Sequence, residues 1–231
     1  MPLTRTRSTR PLRALVLGYS GLLAGVAGFI NSVALLLLAL PVGNLTALTT
    51  KLGMDTANPL LYESCMIAVI GLGFLVGAVG AGAALAGART HTGPRHATVL
   101  LAEAALLLFA TGIENPAVKA LLAAAACGLQ NAMTSSFRAM AIRTTHFTGT
   151  ITDLGLMLGR SRRHGIDKEK AAVMTTTVVL FLGGGAAGAM VGGRIGDKAL
   201  VLPAAACLAV AVASLLYGRR RHRGALGDIP T

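Results

Sequence analysis

Residues 127–155 read CGLQNAMTSSFRAMAIRTTHFTGTITDLG, and a weaker copy of this stretch lies near the start of the chain. There the sequence runs Gly28-Phe29-Ile30-Asn31-Ser32 and then Asn44-Leu45-Thr46-Ala47-Leu48-Thr49-Thr50-Lys51-Leu52-Gly53. Gly28 and Asn31 align with Gly128 and Asn131 at an offset of 100, whereas Thr46 and Gly53 align with Thr148 and Gly155 at an offset of 102, so two residues are gained in between. A self-match built on Gly, Asn and Thr is not what an excess of Leu and Ala produces by chance, and it predicts two related halves.

The surroundings of both copies are apolar. With 54% hydrophobic residues, 13% charged residues, no Trp and a mean hydropathy of +0.68, the chain carries far less charge than a soluble domain and reads as a bilayer protein. A net charge of +12 would suggest nucleic acid in a soluble protein. Here the basic residues cluster between long apolar runs, which membrane topology explains and nucleic-acid binding does not. Cys65, Cys127 and Cys207 have no CxxC spacing and read as small buried hydrophobes; the five histidines form no HExxH pair. No phosphate loop, dinucleotide fingerprint or nucleophile–base pair is present, so neither an enzyme nor a cofactor is expected.

Arg5, Arg7, Arg10 and Arg13 precede an apolar run, Ala14 to Leu40, that is well beyond the roughly 7–15 residues of a signal-peptide core. It reads as a first membrane span. At about 1.5 Å per residue the run reaches roughly 40 Å, more than a ~30 Å hydrocarbon core, so it must tilt or break, and Asn31-Ser32 is the expected place for a break. Five further runs follow: Leu60 to Gly87, Ala97 to Gly112, Ala117 to Met133, Ala171 to Gly193 and Ala199 to Tyr217. The third and fourth spans meet at Glu114-Asn115-Pro116 and are expected to form a helical hairpin. The expected fold is therefore all-α and polytopic, with six transmembrane helices. A basic N-terminus (1–13) and a C-terminal tail (218–231) flank two halves, 14–112 and 117–217.

Charge placement orients this scheme. With the N-terminus in the cytoplasm, the inner segments hold nearly all the arginines, including the run Arg219 to Arg223. Only Lys51, Lys119, Arg194 and Lys198 stay outside. Both termini are expected to be cytoplasmic. Three spans per half is an odd number, so the halves are expected to be inverted-topology repeats. The pairing of Phe74-Leu75-Val76-Gly77 with Phe181-Leu182-Gly183-Gly184, at an offset of 107, is in register with that scheme. Between spans, Asn44 to Ala57 and His146 to Arg160 are too short and too polar to cross; each is expected to be re-entrant or interfacial, one on each side.

Polar groups inside or beside the spans are the candidate site. Asn31, Gln130 and Asn131 are carboxamides near the repeat interface, where inverted-repeat transporters bind their substrates; the alternative is hydrogen-bonded packing between helices. Glu103 is the one acidic residue clearly inside a span, which points to a proton or cation relay or a substrate contact. It lies only about six residues, ~9 Å of rise, from the cytoplasmic edge, so reaching the interface or pairing with a loop arginine is the alternative. Thr46, and Thr148 with Gly149, lie where a helix start offers N–H groups and hydroxyls to a polar solute or is simply capped. Asp153 is expected to pair with Arg143 or Arg160. The glycines of residues 71–82 and 183–192 have GxxxG spacing and are expected to bring helix backbones together.

Gly128-Leu129-Gln130-Asn131-Ala132, followed by Arg143-Thr144-Thr145 and Thr148-Gly149-Thr150, resembles the second signature of the YoaK family of bacterial membrane proteins, catalogued as domain of unknown function 1275. The resemblance covers nearly the whole chain and includes a Gly-x-x-acid motif in the first helix, a Thr-Gly-Asn-like element after it and a glutamate in the third span. The chain departs from the family pattern at Asn31, where Asp is common, and at Thr46-Ala47-Leu48, where Thr-Gly-Asn is common. Membership implies a multi-pass bacterial plasma-membrane protein and supplies no established activity. The expected function is that of a transporter or channel-like protein for a small solute or ion, with the lipid bilayer as its surroundings. The rival is a non-transporting membrane scaffold or accessory protein.

Overall fold

The protein is described by a computed structural model covering residues 10–55, 61–88, 93–136 and 147–227. All its regular structure is helical: α1 (Arg10–Leu38), α2 (Leu45–Asp55), α3 (Leu61–Leu85), α4 (Pro94–Thr111), α5 (Pro116–Ser135), α6 (Phe147–His164), α7 (Lys168–Ile195) and α8 (Val201–Gly227). A short 3-10 turn, Gly196–Leu200, joins the last two. The all-α class expected from sequence holds. Arg5, Arg7, Arg89, Arg138, Arg143, Thr144, Thr145 and His146 lie outside the described residues.

Local chemistry sets the helix ends. The helix α1 runs unbroken through Asn31-Ser32, so the expected break is not there. It stops instead at Ala39, which takes a left-handed conformation (φ 56°) two residues before Pro41, a residue that cannot continue a helix. The hairpin between α4 and α5 is as expected: Gly112 closes α4, and the Asn115 side chain accepts from the N–H groups of Ala117 and Val118 ahead of Pro116 in the first turn of α5. Asp167 caps α7 in the same way through the N–H groups of Glu169 and Lys170. Gly196, at φ 61°, ends α7 by a turn that other residues adopt only with strain.

Three stretches are long and apolar enough to cross a membrane: Leu17–Leu38, Glu63–Leu85 and Lys168–Leu216, the last covering both α7 and the first part of α8. The helices α4 and α5 fall short because Arg95, His96 and Glu103 occupy turns of one, and Lys119, Gln130 and Asn131 turns of the other. The outward faces are also apolar, with Leu75 on α3 and Leu182 on α7 60% and 64% exposed. Helices of this length with apolar outer faces are consistent with a membrane protein.

Helix pairing is specific. The helix α1 packs chiefly on α7, α3 on α5, and α4 on α8 and α5, while α1 crosses α5. Gly28 and Gly128 are among the closest approaches: a Cβ at Gly28 would overlap the Phe181 carbonyl oxygen, and one at Gly128 the Phe74 carbonyl oxygen. These contacts are copies of one another, since Gly28 and Gly128 differ by 100 and Phe74 and Phe181 by 107, the two offsets read from the sequence. Gly25 against Gly184 and Ala125 against Gly77 repeat the relation. Contact positions rise together along α1 and α7 and along α3 and α5, so each of these pairs is parallel. Along α1 and α5 they run oppositely, from Leu23 with Gln130 to Tyr19 with Met133, so these two are antiparallel. In hydrocarbon, helix association has little hydrophobic drive, and glycine seams that admit backbone-to-backbone dispersion contact supply it instead.

The short helices have few helix neighbours, although Leu48 of α2 is buried in the core with Leu45 and Leu52 packed against it. Among the helices, α2 touches only α3 and α6 touches only α7. Asn44 caps α2 by accepting from Ala47 N–H, and Lys51 pairs with Glu63 at 2.8 Å. In α6, Asp153 pairs with Lys170 at 3.2 Å rather than with Arg160, because the loop 165–167 folds the start of α7 back beside it. A tilted contact between the Phe147 and Phe181 rings, 4.4 Å apart, fixes the first turn of α6 on α7.

Candidate functional site

The seven residues singled out from sequence fall into three places. Glu103 is fully buried halfway along α4, and Gln130 is buried on α5. Asn31 and Asn131 are half-buried on α1 and α5. Thr46 is exposed on the first turn of α2, and Thr148 is exposed beside half-exposed Gly149 on the first turn of α6. Because α2 and α6 touch neither each other nor α4, the threonines and Gly149 are not gathered around Glu103.

Each polar group has a definite local task. The Gln130 amide donates to the Leu23 carbonyl of α1 at 2.6 Å, which fixes the α1–α5 crossing. Such a buried bond between helices is worth roughly 1 kcal/mol. The Asn31 Oδ1 accepts from the Gly43 N–H at 3.0 Å and so ties the chain leaving α1 back onto it. The Asn131 carbonyl accepts from the Thr134 hydroxyl, one turn on. The Thr46 and Thr148 carbonyls accept from Thr50 and Thr152, the same four-residue bond at positions 102 apart. The helix α6 starts at Phe147, so Gly149 lies within its first turn and not at an irregular turn of its own.

Glu103 differs from all of these. It is 0% exposed, and neither carboxyl oxygen has a hydrogen-bond partner among the described residues. It takes part in no ion pair among the described residues, which include Arg95 but not Arg89, Arg138 or Arg143. Three other helices bring titratable groups toward it: Tyr19 from α1, Cys127 from α5 and Cys207 from α8, the Cys207 thiol sitting beside the carboxyl without good hydrogen-bond geometry. Sequence reading missed this grouping, because Cys127 and Cys207 look like small core residues and Tyr19 stands alone in α1. A signal existed in the buried positions: Leu100, Glu103 and Leu107 on α4 are matched, at an offset of 104, by Ala204, Cys207 and Ala211 on α8.

At the N-terminal end of α5, Lys119 pairs with Asp197 of the 3-10 turn at 2.5 Å. The next residues of that turn, Ala199 and Leu200, are buried, and the turn touches α1, α4, α7 and α8.

The fold and the polar groups inside it define an all-helical protein of membrane character, built from paired glycine-seamed helices around one isolated carboxyl. The chain belongs to the family described as protein of unknown function (DUF1275), whose profile matches residues 20–213 and so spans all the helices except the ends of α1 and α8. No curated protein and no solved structure matches it.

Proposed function

We propose that the chain is a six-span protein of two inverted three-helix repeats that passes a small solute or ion through a site near the repeat interface. The observation that carries this reading is Glu103, a buried carboxyl on α4 without a hydrogen-bond partner among the described residues, where α4 packs on α5 and α8 and Tyr19 of α1 faces it. An isolated carboxyl inside apolar helices is costly to keep, and a structural role would supply it with a donor. Contact pairs related by 100 and 107 residues, with α1 antiparallel to α5, support the inverted arrangement. In this reading α1, α3 and α4 form one half and α5, α7 and α8 the other. The short helices α2 and α6 are re-entrant or interfacial elements on opposite sides of the plasma membrane. Glu103 and Gln130 form the centre, Asn31 and Asn131 flank it, and Thr46, Thr148 and Gly149 line the approaches. Both termini lie in the cytoplasm with the arginine clusters.

The second reading is a scaffold or accessory protein without transport. It is favoured by Gln130 and Asn31, whose side chains already hold helices and loops in place.

Single cysteines at Lys51 and Gly155, in a cysteine-free background, are expected to react with a membrane-impermeant reagent from opposite sides of sealed vesicles. Labelling from one side would end the inverted scheme. Purified protein in phosphatidylcholine–phosphatidylglycerol liposomes is then challenged with gradients of protons, potassium, chloride, phosphate and small amino acids. Flux of at least one, abolished by Asn131→Leu with unchanged thermal stability, is the expected result. Flux of none, with Asn131→Leu merely less stable, would favour the scaffold.

A further inference from the structure

We propose that Glu103 is a proton-binding site, taking up and releasing a proton within the pathway; this rests on the transport reading above. The helices α5 and α8 pack on α4 around the carboxyl and Tyr19 of α1 faces it, yet none provides a hydrogen-bond donor in good geometry or a positive charge among the described residues. The titratable groups facing it are Tyr19 of α1, Cys127 of α5 and Cys207 of α8. On α4 itself, buried His96 lies two turns toward the N-terminus, and Arg95 is engaged with the Ala86 carbonyl. On the remaining neighbours, Glu63 of α3 is paired with Lys51, and Asp197 of the 3-10 turn with Lys119. Among the described residues no ion pair reaches the carboxyl, and Lys198 of the 3-10 turn, which touches α4, is exposed.

The donor set decides what such a carboxyl binds. A hard metal cation takes about six or more oxygen ligands, and the groups around Glu103 are two thiols and one phenol. A soft metal prefers thiolates in a grouped set, and no group of three His, Cys, Asp or Glu is arranged to hold a metal among the described residues. An anion would meet a like charge. A proton needs only one carboxyl oxygen and a route to it: the carboxylate gains H+ and loses its single negative charge, then returns the same proton to water when the site opens. No other bond forms or breaks. The Tyr19 hydroxyl donates to the Met133 sulfur at 3.8 Å, and a thioether is a weak acceptor.

The test is infrared titration of the full chain in lipid nanodiscs of phosphatidylcholine and phosphatidylglycerol, with isotope-labelled glutamate, for wild type and Glu103→Gln. The expected result is a protonated-carboxyl band that appears and disappears reversibly with pH in wild type and is missing from Glu103→Gln. If Glu103→Gln does not fold, Glu103→Asp serves in its place, and its band must move to the frequency of an aspartic acid. A wild-type band that is invariant with pH, or one that persists in Glu103→Gln, overturns the proposal. The probe for coupling is the proton itself: liposomes with an internal pH dye, driven by a potassium diffusion potential, should acidify with wild type and match protein-free liposomes with Glu103→Gln. Acidification that survives in Glu103→Gln also overturns it. A titrating band together with no flux of any kind upholds the proton site and overturns the transport reading, so the two failures are told apart.

Discussion

Gly128→Leu is expected to abolish the folded protein, and Gly28→Leu to do the same. At either position even a Cβ overlaps a backbone carbonyl on the facing helix, that of Phe74 or of Phe181. A backbone atom has no rotamer to retreat to, so the helices must separate, and separation loosens the neighbouring contacts of Gly77 with Ala125 or of Gly25 with Gly184. Overpacking in a tight core costs roughly 1–3 kcal/mol even where side chains give way, and this case lies at or beyond the upper end. Gly71→Ala is the matched control, since nothing lies within 4 Å of a Cβ there and α3 tolerates the added methyl. Thermal melting and size-exclusion profiles in detergent check this, with Gly71→Ala close to wild type and both Leu variants aggregated. A monodisperse Gly128→Leu would mean that the α3–α5 seam is not the close contact described.

The same seam explains what was legible in the sequence. Gly28 and Gly128 stand out because they match within the sequence at an offset of 100, and the offsets of 100 and 107 relate the two close backbone contacts that they make. Helix ends were readable where punctuation is strong, as at Asn115-Pro116. They were misread at Asn31, because its amide found a partner at Gly43 outside the helix and left the α1 hydrogen-bond ladder intact. Asp153 was misassigned for a related reason: Lys170 is distant along the chain and adjacent only once α7 has folded back. Of the candidate site, Glu103 and Gln130 were visible as polar residues in apolar runs, but their partners were not. The Leu23 carbonyl is a backbone atom of a residue with no polar side chain, and a buried Cys looks like Ala in any hydropathy pattern. Long-range placement, not local propensity, decides which groups meet at Glu103.

Lys119→Glu is expected to destabilise the bundle at the end where α5 begins, and Asp197→Lys in the same chain to restore it. The pair is the least exposed of the described salt bridges, with side chains 15% and 25% accessible against 40% or more in the others. Exposed pairs contribute roughly 0–1 kcal/mol and fully buried ones cost about 3–5 kcal/mol when one partner is removed, so a half-covered pair belongs between these limits. Reversing one sign adds repulsion between two carboxylates to that loss. The consequence reaches beyond α5, because the turn carrying Asp197 also buries Ala199 and Leu200 and touches α1, α4, α7 and α8. Releasing it therefore loosens this end of the helix bundle and should expose the buried residues of the turn. Melting temperature and labelling of a cysteine at Leu200 read the two effects separately. Both single reversals should melt lower and label faster than wild type, and the double reversal should return both readings toward it. A double reversal no better than its worse parent would show that Lys119 and Asp197 act through other neighbours, and that the turn is held by its buried apolar residues alone.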